Sequence, residues 1–372
     1  MSGMRRMSIV PLLALALTAC GAPTGPGGPG GPSDPTTTTY LLLDNAGQRS
    51  VAVMATDGDL ADLDFEESVA LGDDVRPCGM AVGPSGRLYV SDVDGARVLV
   101  IDLDALLDGT ATGAARLATI TVPGLQEPCG LAFDASGSMW IADRRGSMLP
   151  DAFVANHLLQ FDASAVAAAT GTVELSPVRV LEPVHGTAAG PDDLLESRWI
   201  RWLGFDADDR LWYTDTWNRS VNRIDDPGDY GSGLTTGVEP DMQLAYQHPN
   251  LTLLNTASLA FDGAGNVYVG TLSNARALRY ALSRLPSDGR LSVEPDANML
   301  FPIPSDSIIA GPSALTIDAE GELWAAGSNR ALYRLTAPAT RDGAVAPAVT
   351  ATWTAMGNTD GATFVWITRT SP

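Results

Sequence analysis

Short apolar runs recur along this chain, separated by clusters of turn-forming residues. The clearest instance is Cys129-Gly130-Leu131-Ala132-Phe133-Asp134-Ala135-Ser136-Gly137-Ser138-Met139-Trp140-Ile141-Ala142-Asp143. Leu131 to Phe133 is apolar, Asp134 to Gly137 supplies turn chemistry, and Met139 to Ala142 is a second apolar run closed by an acid. Gly137 suits a turn position with positive φ, where a side chain would be strained. The unit reads as a β-hairpin.

Imperfect copies follow one another. They are Cys78 to Asp92, Cys129 to Asp143, Leu203 to Asp215, Ser258 to Gly270 and Ser313 to Gly327. Aligned at the first turn residue, Pro84, Asp134, Asp206, Asp262 and Asp318, they are spaced by 50, 72, 56 and 56 residues. Propeller blades run to about 40–50 residues and four strands, so the spacing points to a β-propeller. A third strand follows each hairpin: Arg97 to Ile101, His157 to Phe161, Val221 to Ile224, Ala277 to Tyr280 and Ala331 to Leu335. Fourth strands are weaker, as at Ala115 to Val122 and Val178 to Leu181. The long interval reads as an insertion between about 144 and 198.

The ends complete the count. Tyr40 to Asp44 and Arg49 to Val53 resemble strands two and three of a blade that lacks its first strand, and Thr363 to Ile367 is a lone strand. Joining them makes a sixth blade and removes two open edges. The expectation is an all-β, six-bladed propeller of four-stranded antiparallel blades over 40–372, closed by its termini; seven blades is the alternative.

Pro77-Cys78-Gly79-Met80-Ala81-Val82, Pro128-Cys129-Gly130-Leu131-Ala132-Phe133-Asp134, Gly86-Arg87-Leu88-Tyr89-Val90-Ser91-Asp92 and Asp215-Thr216-Trp217-Asn218-Arg219-Ser220-Val221 carry a resemblance to NHL-repeat propellers. The same residues resemble the senescence-marker/gluconolactonase-like and strictosidine-synthase-like relatives. The lactonase members hold a divalent metal in the central channel through carboxylate and Asn side chains, so the resemblance implies Ca2+ or a similar ion. Here the corresponding places read Pro77-Cys78-Gly79, Pro128-Cys129-Gly130 and Pro312-Ser313-Ala314, which lack those ligand types.

The N-terminus carries a separate message. Arg5 and Arg6 precede an apolar run from Ile9 to Ala19, too short to span a bilayer but suited to a secretory signal. It ends Leu17-Thr18-Ala19-Cys20-Gly21, which resembles the lipobox of bacterial lipoproteins and implies lipidation of Cys20. Gly21 resembles the sorting residue of lipoproteins sent to an outer membrane. The segments are then a signal peptide at 1–19, a lipidated cysteine with a Gly-, Pro- and Thr-rich tether at 20–39, and the propeller. The expected location is extracytoplasmic, with membrane contact through the lipid anchor only.

Charge narrows the partners. The 372 residues carry a formal net charge of −21, opposite to what phosphate binding needs, which excludes nucleic acid. A protein, glycan or small-molecule ligand remains, and a monomer is expected. Catalytic signatures are sparse: there are three histidines, His157, His185 and His248, no Gly-x-Ser-x-Gly elbow and no His-Glu-x-x-His. Asp92-Val93-Asp94-Gly95 and Asp206-Ala207-Asp208-Asp209 resemble calcium loops but fit turn and cap roles.

Cys78 and Cys129 occupy one position of consecutive repeats and should neighbour each other at the channel mouth. An even pair in an oxidising compartment suggests a disulfide, with free thiols the rival if the Cα atoms lie beyond about 7 Å. Arg201, Ala257 and Ser313 fill the same position in later repeats. Trp199, Trp202 and Trp217 are not explained by the repeat, and aromatics with Arg are what a binding hot spot uses; packing between blades is the competing role. The expected ligand-binding set is therefore Cys78, Cys129, Trp199, Arg201, Trp202, Trp217 and Ser313, with no catalytic residue and no cofactor. The expected function is a membrane-anchored, non-catalytic binding platform; the alternative is a metal-dependent lactonase or esterase.

Overall fold

The second strand of each hairpin is an unbroken apolar run because both its faces are covered. In the computed structural model Leu88–Asp92, Met139–Asp143, Leu211–Asp215, Val267–Thr271 and Leu323–Gly327 are buried along their whole length. A strand alternates when one face meets water; these have neighbours on both. The structure describes residues 37–46, 49–56, 67–108, 115–144, 156–187, 190–196, 199–216, 218–245, 256–271, 275–285, 289–291, 295–302, 311–327, 331–347, 349–352 and 364–370. Cys20, the expected signal segment and most of the expected tether lie outside these residues.

Six sheets form a ring. Blade 2 runs outward through Pro77–Val82, Leu88–Asp92, Arg97–Ile101 and Arg116–Thr121. Blade 3 runs through Pro128–Phe133, Met139–Asp143, His157–Phe161 and Arg179–Thr187. Blade 4 uses Ile200–Phe205, Leu211–Asp215, Ser220–Ile224 and Met242–Ala245. Blade 5 uses Thr256–Phe261, Val267–Thr271, Arg276–Tyr280 and Ala297–Leu300. Blade 6 uses Pro312–Ile317, Leu323–Gly327, Ala331–Leu335 and Val349–Thr352. Blade 1 is composite: the last strand, Phe364–Thr370, pairs with Thr37–Asn45, which continues to Ser50–Ala55 and Glu67–Ala70. The inner strands touch in turn all the way round, from blade 2 to blade 6, to Phe364–Thr370 and back to blade 2. The chain is a six-bladed β-propeller closed by its termini, and the seven-bladed alternative falls.

The core lies between blades. One cluster joins Tyr89, Val98 and Ile120 of blade 2 to Leu131, Ile141 and Phe161 of blade 3. Similar clusters join blades 1 and 2, 3 and 4, 4 and 5, and 5 and 6. Each of these sheets is therefore stabilised by its neighbours.

Two features of the blades depart from the repeat read in sequence. After its third strand, each of blades 3 to 6 sends a short strand back to the preceding blade, where it pairs parallel with the outermost strand. Gly171–Glu174 covers Arg116–Thr121, and Gly233–Val238 covers Arg179–Thr187. Gly289–Leu291 covers Met242–Ala245, and Gly343–Ala344 covers Ala297–Leu300. Each latch begins on a glycine with φ between 62° and 88°, a turn a side chain would strain, and each covers an edge that would otherwise be open. The second departure is in the 72-residue interval. There the fourth strand of blade 3 runs on past its partner and folds into a hairpin with Gly190–Glu196.

The turn of blade 2 begins one residue earlier than Pro84. In blade 3 the Asp134 N–H donates to Ser138 and the Gly137 N–H to Asp134; in blade 2 the Gly83 N–H donates to Arg87 and the Gly86 N–H to Gly83. The counterpart of Asp134 is Gly83, not Pro84. Blade 2 thus carries a glycine where blades 3 to 6 carry an acid, and the first interval is 51, matching the 51-residue separation of the two cysteines.

Candidate functional site

The positions singled out in sequence share a backbone feature. In blades 2 to 6 the pairing of first and second strands shifts register near its start: between Pro77 and Gly79, Pro128 and Leu131, Ile200 and Leu203, Thr256 and Ser258, and Pro312 and Ala314. Cys78, Cys129, Arg201, Ala257 and Ser313 fall within those five irregularities. Such a bulge re-aims a side chain and often stands at the rim of a closed sheet. In blade 1 Phe364–Thr370 pairs without a shift, so the ring has five bulged members and one regular one.

Cys78 and Cys129 are joined by a disulfide, with Cα atoms 4.7 Å apart. The close approach is set by the residues that follow them. A Cβ on Gly79 would stand 2.2 Å from the Cys129 carbonyl oxygen, and one on Gly130 would stand 2.8 Å from the Leu203 backbone nitrogen. The inner strands of blades 2, 3 and 4 thus lie backbone against backbone, which only glycine permits. The Ser91 hydroxyl, buried one strand outward, donates to the Cys129 carbonyl at 2.7 Å. Thr216 does the same between blades 4 and 5, donating to the Thr256 carbonyl at 2.6 Å. These hydroxyls close each strand entry against its neighbour, and the sequence signal for them is a Ser or Thr beside the acid that ends the second strand.

Cys78, Cys129, Arg201 and Ser313 are each 3% exposed or less, so this part of the ring is packed closed. The Ser313 hydroxyl donates within its own blade, to the Ala326 carbonyl at 3.3 Å. Trp202 is half-buried between blades 4 and 5: its ring packs on Phe261 with centroids 6.2 Å apart and covers Gly204. Trp217 lies outside the described residues, as does the His185 side chain.

Trp199 stands apart. It precedes the inner strand of blade 4 with φ at 61°, uncommon for a bulky residue, and its buried indole Nε1 has no hydrogen-bond partner among the described residues. In blades 2 and 3 the chain at this place is held by the acid that ends the second strand: Asp92 accepts from the Arg76 N–H, and Asp143 from the Gln126 and Glu127 N–H groups. In blade 4 Asp215 accepts from the Asn218 backbone and side-chain N–H groups, and Asn156 of blade 3 accepts from the Ile200 N–H at 2.8 Å. Asn156, unmarked in the sequence, thus ties blade 3 to the residue that follows Trp199.

The acids that resembled calcium ligands have structural partners. Asp92 also accepts from the Arg97 guanidinium at 2.7 Å, and the same guanidinium, bonded to Asp74 at 2.6 Å, holds the Asp74 carboxyl below the usual carboxylate range. Asp206 binds its own turn, the Arg210 guanidinium and the Trp212 indole. Among the described residues no three His, Cys, Asp or Glu side chains converge, so the described ring does not fit the carboxylate-rich metal centre that the lactonase resemblance implies.

No protein-family model matches the sequence, and no curated protein matches it. Solved structures are similar in fold. A protein of unknown function from Bacteroides caccae superposes with a TM-score of 0.55 at 12% identity, over 89% of this chain and 99% of that one. A chain of the nidogen/laminin complex gives 0.51 at 13% identity, over 88% and 98%. Virginiamycin B lyase from Staphylococcus aureus gives 0.45 at 13% identity, over 80% and 86%. At these identities the likeness is one of fold, which hosts many unrelated activities.

Proposed function

We propose that this chain is an extracytoplasmic lipoprotein, anchored through Cys20 to a bacterial outer membrane, whose propeller serves as a non-catalytic binding platform. The observation that carries the reading is the buried Cys78–Cys129 disulfide. A disulfide between inner strands persists in an oxidising compartment, the compartment that the Leu17-Thr18-Ala19-Cys20 motif addresses, and it occupies the ring position where a hydrolase of this architecture would carry ligands. The acids of the adjoining strand ends have backbone and arginine partners, which supports a structural ring. Trp199 and Trp217 of the aromatic–Arg group are the residues we assign to face the ligand. The net charge favours a neutral or basic partner, a protein, glycan or small molecule, and disfavours nucleic acid.

The test uses the full chain expressed in a bacterium with two membranes. Palmitate labelling and detergent-phase partition are expected for the wild type and lost in Cys20→Ser; an unlabelled, aqueous wild type overturns the anchor. Calorimetry of the lipidated protein with Ca2+ and Zn2+ addresses the rest. Tight stoichiometric binding coupled to lactone hydrolysis would replace this reading with the metal-dependent hydrolase.

A further inference from the structure

Blades 2 to 6 each place an aromatic residue at one point of the second strand, and in four of them its polar atom meets the turn acid. Trp140 donates to Asp134 at 2.9 Å, Trp212 to Asp206 at 2.6 Å, Tyr268 to Asp262 at 3.1 Å and Trp324 to Asp318 at 2.8 Å. Blade 2 breaks the rule. Gly83 stands where the acid would be, because a Cβ there would lie 2.7 Å from the Tyr89 ring and 2.9 Å from Phe133. Tyr89 is 1% exposed and packs edge-on against Phe133 with centroids 5.0 Å apart. Its hydroxyl makes no hydrogen bond to a described residue and, rather than standing as a buried orphan, reaches solvent.

Tyr89 also lines a cleft of about 250 Å³ between the hairpin turns of blades 2 and 3 and the short helix Ala163–Ala167. Phe133 and Val166 supply apolar wall, and Pro84, Ser85 and Ser164 also line it. No lining residue is charged. The Arg87 guanidinium is directed to the Ala167 and Ala169 carbonyls at the end of the helix.

We propose that this cleft binds a small neutral molecule with a compact apolar body and one hydrogen-bond acceptor, to which the Tyr89 hydroxyl donates. The uncharged lining sets the ligand's charge, and the volume, just under the roughly 300 Å³ at which sites for drug-sized ligands begin, sets its size. The missing acid of blade 2 is the reason the phenol is available. The cleft lies at the hairpin-turn end of the blades, away from the bulged ring, and the inference is independent of the function proposed above.

Benzamide and toluene are the probes, alike in ring but differing in the carbonyl acceptor, titrated into the full chain and followed by calorimetry and by NMR. Benzamide is expected to bind one saturable site. Tyr89→Phe, which removes one oxygen, weakens benzamide about five- to tenfold and leaves toluene unchanged. Ala167→Trp, on the exposed side of the cleft, eliminates both. Benzamide affinity untouched by Tyr89→Phe, binding that survives Ala167→Trp, or no saturable binding by the wild type would each overturn the proposal. The thermal midpoint of Tyr89→Phe is expected to equal or exceed that of the wild type, which separates a ligand effect from misfolding.

Discussion

The carbonyl oxygen of Cys129 lies 2.2 Å from where a Cβ of Gly79 would stand. That contact joins two backbones of different blades, so neither side can give way by rotating a side chain. It also sets the distance that the Cys78–Cys129 disulfide spans and that the Ser91 hydroxyl bridges.

Gly79→Ala should therefore be among the most damaging single-methyl changes in the protein, destabilising by about 3 kcal/mol or more, the upper end for overpacking. Gly263→Ala, where an added methyl meets nothing within 4 Å, should stay within about 0.5 kcal/mol of wild type. Urea unfolding at constant slope measures both. Equal midpoints for the two variants would show that the inner strands are not in contact.

Removing the disulfide with Cys78→Ser and Cys129→Ser together releases a loop of 51 residues. The chain-entropy relation puts the loss at about 4 kcal/mol. Because both sulfurs are buried, reductant alone should leave the folded wild type oxidised, and reductant with urea should bring its unfolding midpoint to that of the double variant. Thiol labelling across the urea series reads both effects.

Asp206→Ala leaves the buried Trp212 indole N–H and two turn N–H groups without their acceptor. The expected loss is about 2–3 kcal/mol, the range for hydrogen bonds to a charged group. Asp208→Ala, at an exposed position of the same turn, should change stability little. The tryptophan fluorescence maximum should shift only in the first.

Alkaline pH should find Tyr268. Burial first, and the adjacent Asp262 carboxylate second, raise its hydroxyl above the ordinary tyrosine range. The unfolded chain loses that proton near pH 10 while the folded chain keeps it. Its contribution is complete below pH 10 and declines as pH rises above that value. Tyr268→Phe is expected to be less stable than wild type at pH 8 and to show a shallower loss between pH 10 and 12, followed by thermal unfolding. Parallel curves for the two proteins would mean that Tyr268 titrates normally.

Much of the architecture is written locally. The apolar runs, the turn residues and their spacing mark each hairpin, and the unpaired strands at the two ends announce the closing blade, because a strand and a tight turn depend on residues a few positions apart. Thr170-Gly171, Ser232-Gly233, Asp288-Gly289 and Asp342-Gly343 precede the latches, but a parallel pairing with the previous blade has no local signature and only the structure shows it. Gly83 was misaligned by one residue because Pro84 is the louder turn former.

The ring position itself was visible in sequence as the place where Cys78, Cys129, Arg201, Ala257 and Ser313 replace one another. What stands around it was decided only by the tertiary structure. Gly79 and Gly130 let three inner strands touch, a bulge turns each ring residue, Trp202 is drawn between blades onto Phe261, and Tyr89 meets Gly83 instead of an acid. Composition and periodicity specify which face of a strand is buried. The distance between two backbones of neighbouring blades depends on residues some 50 positions apart, and it exists only once the ring has closed.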